Sequence, residues 1–133
     1  LDLLKRAQRF QQIVRLIGPE DLPDTERLIL VVSEMIKNGF LQQNAFDDID
    51  VFSVPEKQIM ILQLIIQYYK RAYSIIKQGA PLMKVTNLPV REEIVRIKTS
   101  IANDNLTQIS AVESHLEEQI SSLEKIYRRA DVL

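Results

Sequence analysis

The chain has 133 residues, 46% apolar and 26% charged, which is the composition of one folded domain and excludes a disordered tail. Its net charge of -1 gives no overall attraction to nucleic acid or to an anionic membrane. The absence of cysteine excludes disulfide frameworks and cysteine-bound zinc and is typical of a reducing compartment such as the cytoplasm. No apolar stretch reaches the roughly 20 residues of a membrane-spanning helix.

The first predicted element is a helical hairpin over residues 2–38. Its first arm carries apolar residues at spacings of three and four: Leu3, Ala7, Phe10, Val14 and Ile17. Gly18 and Pro19 end that arm. The second arm is predicted to begin at about Asp24, as an N-cap, and to continue toward Phe40.

A long central helix is predicted over residues 54–78, after an irregular linker at 42–53. Ser53 and Glu56 have the spacing of a capping box, and Gly79 marks the end of the helix. One apolar stripe runs along it: Ile59, Leu62, Ile66, Tyr69, Tyr73 and Ile76. A second stripe widens the first: Ile61, Ile65, Tyr68, Ala72 and Ile75. The tyrosines at 68, 69 and 73 are therefore predicted to pack as core.

Two further helices complete the prediction. A short helix over 88–102 has Asn87 as its expected N-cap and Pro89 in its first turn. A C-terminal helix over 106–129 carries apolar residues at heptad-like spacing: Ile109, Val112, Leu116, Ile120, Leu123 and Tyr127. Since no segment alternates as a strand does, the predicted fold is an all-α bundle of about five helices in a single domain, 1–133.

The residue inventory supports no complete active site. The three glycines are too far apart for a phosphate-binding loop, and no nucleophile and base pair can be assembled, so no catalytic residue is predicted. The single histidine, His115, is predicted to be a half-exposed helix residue, because no second histidine completes a metal site or a catalytic group. No metal site is predicted.

The linker leaves two alternatives open. Asp47, Asp48 and Asp50 offer oxygen ligands for a divalent cation, but without the glycine and final glutamate of a calcium loop a solvated loop is favoured. Phe46 and Phe52, with Phe40 before the linker, are either buried plugs or flat surfaces for a ligand ring, and burial is favoured.

Three segments together are similar to one known family. They are GPEDLPDTERL at 18–28, GFLQQNAFDDIDVFSVPEKQ at 39–58 and LPVREEIVRIK at 88–98. In this order they resemble the C-terminal domain of the catalytic A subunit of archaeal and vacuolar-type ATPases. The resemblance implies that the chain is a C-terminal fragment of a larger subunit whose nucleotide-binding domain is absent.

The family implies a lever that couples ATP hydrolysis or synthesis to rotation of a central stalk and to proton or sodium transport. Residues of segment 18–28 resemble the acidic loop that contacts the stalk in related enzymes: Glu20, Asp21, Leu22, Asp24, Glu26 and Arg27. The implied partners are the nucleotide-binding domain of the same subunit, the B subunits of the ring and the central stalk. Nucleic acid and direct membrane insertion are not expected, and the implied location is the cytoplasmic face of a membrane complex.

The family also implies that Phe46 lies against the adenine ring of the bound nucleotide, with Ala45 beside it and Phe40 and Gln43 as supports. ATP or ADP with magnesium would be held by the full subunit, so the isolated domain is expected to have no cofactor and no activity. The alternative is a stand-alone helical adaptor that uses its last helix as a coiled-coil arm.

Overall fold

The computed structural model describes residues 5, 8, 9, 12, 22–38, 55–102 and 105–132. Between residues 22 and 132 the described part of the chain forms five helices: α1 (Asp24–Ile36), α2 (Pro55–Lys77), α3 (Leu82–Thr86), α4 (Pro89–Ser100) and α5 (Gln108–Val132). The described residues contain no strand, and the predicted all-α fold is confirmed. None of these helices combines the length and apolarity that crossing a bilayer requires.

The central helix α2 organises the bundle. It packs against α1, α4 and α5, while α5 also packs against α4, and α1 also packs against α3. The core that these contacts enclose is almost entirely aliphatic, with Tyr68 of α2 as its largest buried side chain. Burial of this apolar surface is the main stabilising contribution to the fold.

The structure buries the second predicted stripe of α2 more fully than the first. The stripe through Ile61, Ile65 and Tyr68 is buried, whereas Ile59 and Tyr73 of the first stripe are exposed. The three tyrosines separate accordingly: Tyr68 is core, Tyr69 is half-buried, and Tyr73 lies outside the core, with its ring centroid 6.2 Å from that of Tyr69. Both stripes have helical spacing, so periodicity alone did not determine which one faces the neighbouring helices.

The predicted boundaries are close for the longer helices and wrong at several caps. The predictions 54–78, 88–102 and 106–129 correspond to α2, α4 and α5. The second arm of the hairpin 2–38 is α1, and its first arm lies outside the described residues, apart from four helical positions with exposed side chains. The predicted N-caps Asp24 and Asn87 are wrong, since Pro23 and Leu88 occupy those positions, and α3 was not predicted.

The end of α2 has the bonding pattern of a Schellman motif. Gly79 adopts a φ of +114°. The amide of Gly79 donates to the Ile76 carbonyl at 3.0 Å, and the amide of Ala80 donates to the Ile75 carbonyl at 3.1 Å. The positive φ is readily adopted by glycine because it has no Cβ, so the predicted helix end at this residue is confirmed with its physical cause.

Candidate functional site

The described part of the predicted stalk contact is the first turn of α1 and the two residues before it. Leu22 is buried, so its side chain belongs to the fold, while Asp24, Glu26 and Arg27 are half-buried. The Pro23 carbonyl accepts hydrogen bonds from the amides of Glu26 and Arg27, both at 3.0 Å. Carboxylates in a first turn are stabilised by the helix dipole, so the acidic residues here also favour helix initiation.

Asp24 makes two contacts with two different oxygens. Its Oδ1 lies 3.5 Å from Nη1 of Arg27, one turn further along α1. Its Oδ2 accepts a hydrogen bond from the backbone amide of Leu82 at 2.9 Å. The carboxylate predicted to cap its own helix therefore caps α3 instead.

A groove of about 490 Å³ lies between α1 and α3. It is lined by Asp24, Arg27, Val31, Pro81, Leu82, Met83, Thr86 and Arg91. Met83 is exposed, and Nε of Arg91 donates to the Thr86 carbonyl at 2.8 Å. The lining presents one carboxylate, two guanidinium groups and several apolar surfaces, which suits contact with another protein surface and includes no nucleophile and base pair.

The other predicted site residues fall outside the described residues. This applies to Glu20 and Asp21 of the stalk contact and to the four residues of the adenine site: Phe40, Gln43, Ala45 and Phe46. The acidic cluster at 47–50 and Phe52 also lie outside the described residues. Among the residues that are described, no group of histidine, aspartate and glutamate side chains is arranged to hold a metal ion.

Sequence reasoning missed Lys57, the only charged residue buried in the described core. Its side chain is 0% exposed, and its Nζ donates to the Ile101 carbonyl at 2.6 Å. Ile101 is the C-cap of α4, so the ammonium group binds a carbonyl that the helix itself leaves unpaired. A signal was present, because Lys57 lies four residues before Ile61 and hence in register with the buried stripe.

Two side chains, one from α2 and one from α5, hold α3 and the start of α4. The Tyr68 hydroxyl donates to the Val85 carbonyl at 3.3 Å. The Gln119 side chain of α5 accepts a hydrogen bond from the Val90 amide at 2.9 Å, at the start of α4. Burial raises the pKa of Tyr68 to about 12, and the positive charge of Arg91 opposes part of that rise.

Polar contacts fasten the last helix to the central one. Nη2 of Arg71 lies 3.3 Å from a carboxylate oxygen of Glu117 and 3.2 Å from one of Glu124. Gln67 also donates to Glu117, at 2.7 Å. These contacts run beside the buried apolar stripe of α5, so the helix is held against α2 by both kinds of interaction.

His115 is half-exposed, as predicted. Its Nδ1 lies 2.8 Å from Oε1 of Glu93, and the two side chains are 46% and 38% exposed. The pair borders a shallow groove of about 460 Å³ between α4 and α5. A partly exposed pair of this kind joins the two helices and contributes little to stability.

Comparison with known proteins identifies the family. A model of the C-terminal domain of V and A type ATP synthase matches residues 1–86. The chain is 40% identical over 128 residues to the alpha chain of the V-type ATP synthase of Halothermothrix orenii and 42% identical over 125 residues to the A subunit of the A-type ATP synthase of Sulfolobus acidocaldarius. These alignments cover 96% and 92% of this chain but only 22% and 21% of the relatives, so the chain spans about a fifth of their length. The chain therefore belongs to the family of C-terminal domains of V- and A-type ATP synthases.

Proposed function

We propose that this chain is the lever domain of the catalytic A subunit of a rotary V/A-type ATPase, at the cytoplasmic face of its membrane complex. It would couple ATP hydrolysis or synthesis to rotation of the central stalk and hence to transport of protons or sodium ions. The observation that carries the proposal is family membership, since the relatives are A subunits and alpha chains of ATP synthases.

The packing of α1 supports a mechanical role. Leu28, Val32 and Met35 are buried, and α1 packs along α2, so a force applied to its first turn passes into the bundle. Protein cores are densely packed and deform little, which suits a part that transmits displacement. This packing supports a lever role for α1.

The proposed stalk contact consists of Glu26 and Arg27 in α1, preceded by Glu20 and Asp21. Charges on a protein surface interact through contacts of about 0.2–1 kcal/mol each, weakened further by salt. Contacts of this strength can guide a basic stalk surface and still release it in every rotation. Leu22 would support this surface from the core, where it is buried.

The nucleotide role is a separate part of the proposal. Phe46 would lie against the adenine ring with Ala45 beside it, supported by Phe40 and Gln43. Stacking of an aromatic side chain on a base contributes about 1–3 kcal/mol, which adds affinity without supplying catalysis. The phosphate and magnesium contacts would come from the B subunits and from the nucleotide-binding domain that precedes this one in the complete protein.

The stalk contact is tested in the complete rotary complex. Glu20→Gln, Asp21→Asn and Glu26→Gln together should lower the number of ions transported per ATP hydrolysed and leave nucleotide affinity unchanged. The control is Glu113→Gln with Glu118→Gln, which neutralises two exposed carboxylates on α5. Unchanged coupling in the triple variant, or a nucleotide Kd that rises with it, would refute this assignment.

The adenine contact is tested with two variants of one residue. Phe46→Ala should raise the nucleotide Kd about 5- to 150-fold, the equivalent of about 1–3 kcal/mol. Phe46→Tyr keeps the aromatic face and should retain most of the affinity. If the alanine variant and the unaltered complex bind nucleotide with equal affinity, Phe46 does not contribute to the nucleotide site.

The packing of α5 weighs against the adaptor alternative. The stripe that would serve as a coiled-coil seam is buried within this chain: Ile109, Val112, Leu116 and Ile120. A helix that has buried this stripe against α2 and α4 cannot also use it to bind a partner helix.

A further inference from the structure

We infer that Asp24 is a positioning residue, which ties the acidic end of α1 to the start of α3 and does not itself touch the stalk. The consequence of this tie, that it aligns a surface which contacts the stalk, rests on the proposed function. The tie itself is a property of this chain. It changes the role that the family resemblance implied for Asp24.

The geometry shows why this carboxylate is engaged within the fold. The first amides of a helix have no partners inside the helix, and the residue before α3 is Pro81, which offers no side-chain acceptor. The Leu82 amide is one of these unpaired donors, and Asp24 Oδ2 accepts its hydrogen bond at 2.9 Å. A hydrogen bond to an ionised carboxylate is stronger than one between neutral groups.

The second carboxylate oxygen restrains the same side chain from the other side. Oδ1 of Asp24 lies 3.5 Å from the Arg27 guanidinium. Asp24 is 37% exposed and Arg27 41%, so the ion pair is partly hydrated and the amide bond is the more specific of the two contacts. Glu26, in the same turn, makes no ion pair or side-chain hydrogen bond with any residue described in the structure.

The tie continues into the core. The carbonyl of Val85 in α3 accepts a hydrogen bond from the buried hydroxyl of Tyr68 in α2. Two hydrogen bonds therefore lead from the first turn of α1 through α3 to the central helix. If Glu26 and its neighbours touch the stalk, the bond from Asp24 fixes the position from which they do so.

The charge of Asp24 and its ability to accept the bond can be separated by substitution. Asp24→Asn removes the charge and keeps an acceptor oxygen, whereas Asp24→Ala removes both. A stalk contact made through charge should be lost in both variants. A positioning role should be largely retained by asparagine and lost with alanine.

The tie is tested first in the 133-residue chain, by hydrogen exchange of the Leu82 amide. We expect exchange to be about tenfold faster or more in Asp24→Ala, within about threefold of the unaltered chain in Asp24→Asn, and unchanged in the control Glu34→Gln, an exposed carboxylate of α1. Unchanged exchange in the alanine variant would overturn the inference and leave the proposed function intact.

The donor side provides a second, matched comparison. Leu82→Pro removes the amide at the first position of α3, where proline is tolerated, and Leu82→Ala removes a similar part of the buried side chain but keeps the amide. In the unaltered chain, Leu82→Pro should lower the melting temperature more than Leu82→Ala does. When Asp24→Ala is already present, the two Leu82 variants should have the same melting temperature. Additive shifts would show that Asp24 acts on another group, which would refute the tie.

The consequence for rotation is tested in the complete complex. Asp24→Ala should lower the number of ions transported per ATP, and Asp24→Asn should restore most of it. Equal loss in the two variants would identify Asp24 as a charge that contacts the stalk and would overturn the inference. A third outcome separates the two proposals. If coupling is normal both in Asp24→Ala and in the variant neutralised at positions 20, 21 and 26, the proposed function is refuted. Faster exchange of the Leu82 amide in Asp24→Ala would still establish the tie.

Discussion

Two polar contacts of α4 have nearly the same length and very different surroundings. Lys57 donates to the Ile101 carbonyl at 2.6 Å from a fully buried position, and His115 lies 2.8 Å from Glu93 on the hydrated outer face. In water each group of the exposed pair has other partners, whereas the buried groups have only those that the fold provides. We therefore expect burial, more than distance, to decide how much each contact stabilises the bundle.

The largest expected effect is that of Lys57→Ala, which should lower the free energy of unfolding by about 3 kcal/mol or more. The change leaves the Ile101 carbonyl without its donor and opens a cavity in a packed region. Urea unfolding measures the effect, and Lys70→Ala provides the control, because Lys70 is exposed on the same helix. A loss under about 1 kcal/mol would contradict the expectation that the buried contact is the more stabilising of the two.

The second prediction concerns alkaline pH and Tyr68. Because the folded pKa is about 12 and the ordinary value is 10, the folded state holds the phenol proton more tightly than the unfolded state does. The contribution of the protonated Tyr68 phenol to the free energy of unfolding is therefore complete below pH 10. It falls by about 2–3 kcal/mol as the pH rises from 10 through 12.

Tyr68→Phe separates this effect from the titration of other groups. Below pH 10 the variant should be about 0.5–1.5 kcal/mol less stable, because it lacks the hydrogen bond to Val85. That difference should shrink and then reverse as the pH approaches 12. Parallel stability curves for the two proteins would contradict the role assigned to the buried phenol.

An intermediate effect of about 1 kcal/mol is expected for Gln119→Ala. The substitution removes the acceptor of the Val90 amide at the start of α4, as the loss of a helix cap does. Gln63→Ala is the matched control, since Gln63 is an exposed glutamine on α2. Equal unfolding free energies for the two variants would show that the bond from α5 has no stabilising role.

The smallest effect is expected at the exposed end of the comparison. His115→Ala should change the free energy of unfolding by no more than about 0.5 kcal/mol, because a half-exposed pair exchanges its contact for water at little cost. Thermal unfolding of the variant and of Glu93→Gln measures it. A loss comparable to that of Lys57→Ala would mean that burial is not the controlling variable.

The sequence predicted the helical class and the longer helices because their signals are local. Gly79 ended α2 where predicted, and the apolar spacing of α5 identified its buried face. A five-residue helix such as α3 is too short to show a period, which explains why it was not predicted.

The errors at the caps have a different cause. Asp24 was assigned to its own helix because sequence reveals only neighbours, yet its partner Leu82 is 58 positions away. Lys57 and Gln119 likewise bind groups 44 and 29 positions distant. The predicted stalk contact and the predicted adenine site remain predictions that rest on the family resemblance.

The backbone of Gly79 has a consequence for handedness. Apart from Gly79 and its two chain neighbours, no heavy atom of the described residues lies within 4 Å of the place where the Cβ of an L residue would stand, so the φ of +114° is what disfavours an ordinary alanine there. A mirror-image alanine introduced by chemical synthesis adopts this angle without strain and leaves the unfolded chain fewer conformations than glycine does. D-alanine at position 79 should thus raise the free energy of unfolding by about 0.4–1 kcal/mol, whereas L-alanine should lower it.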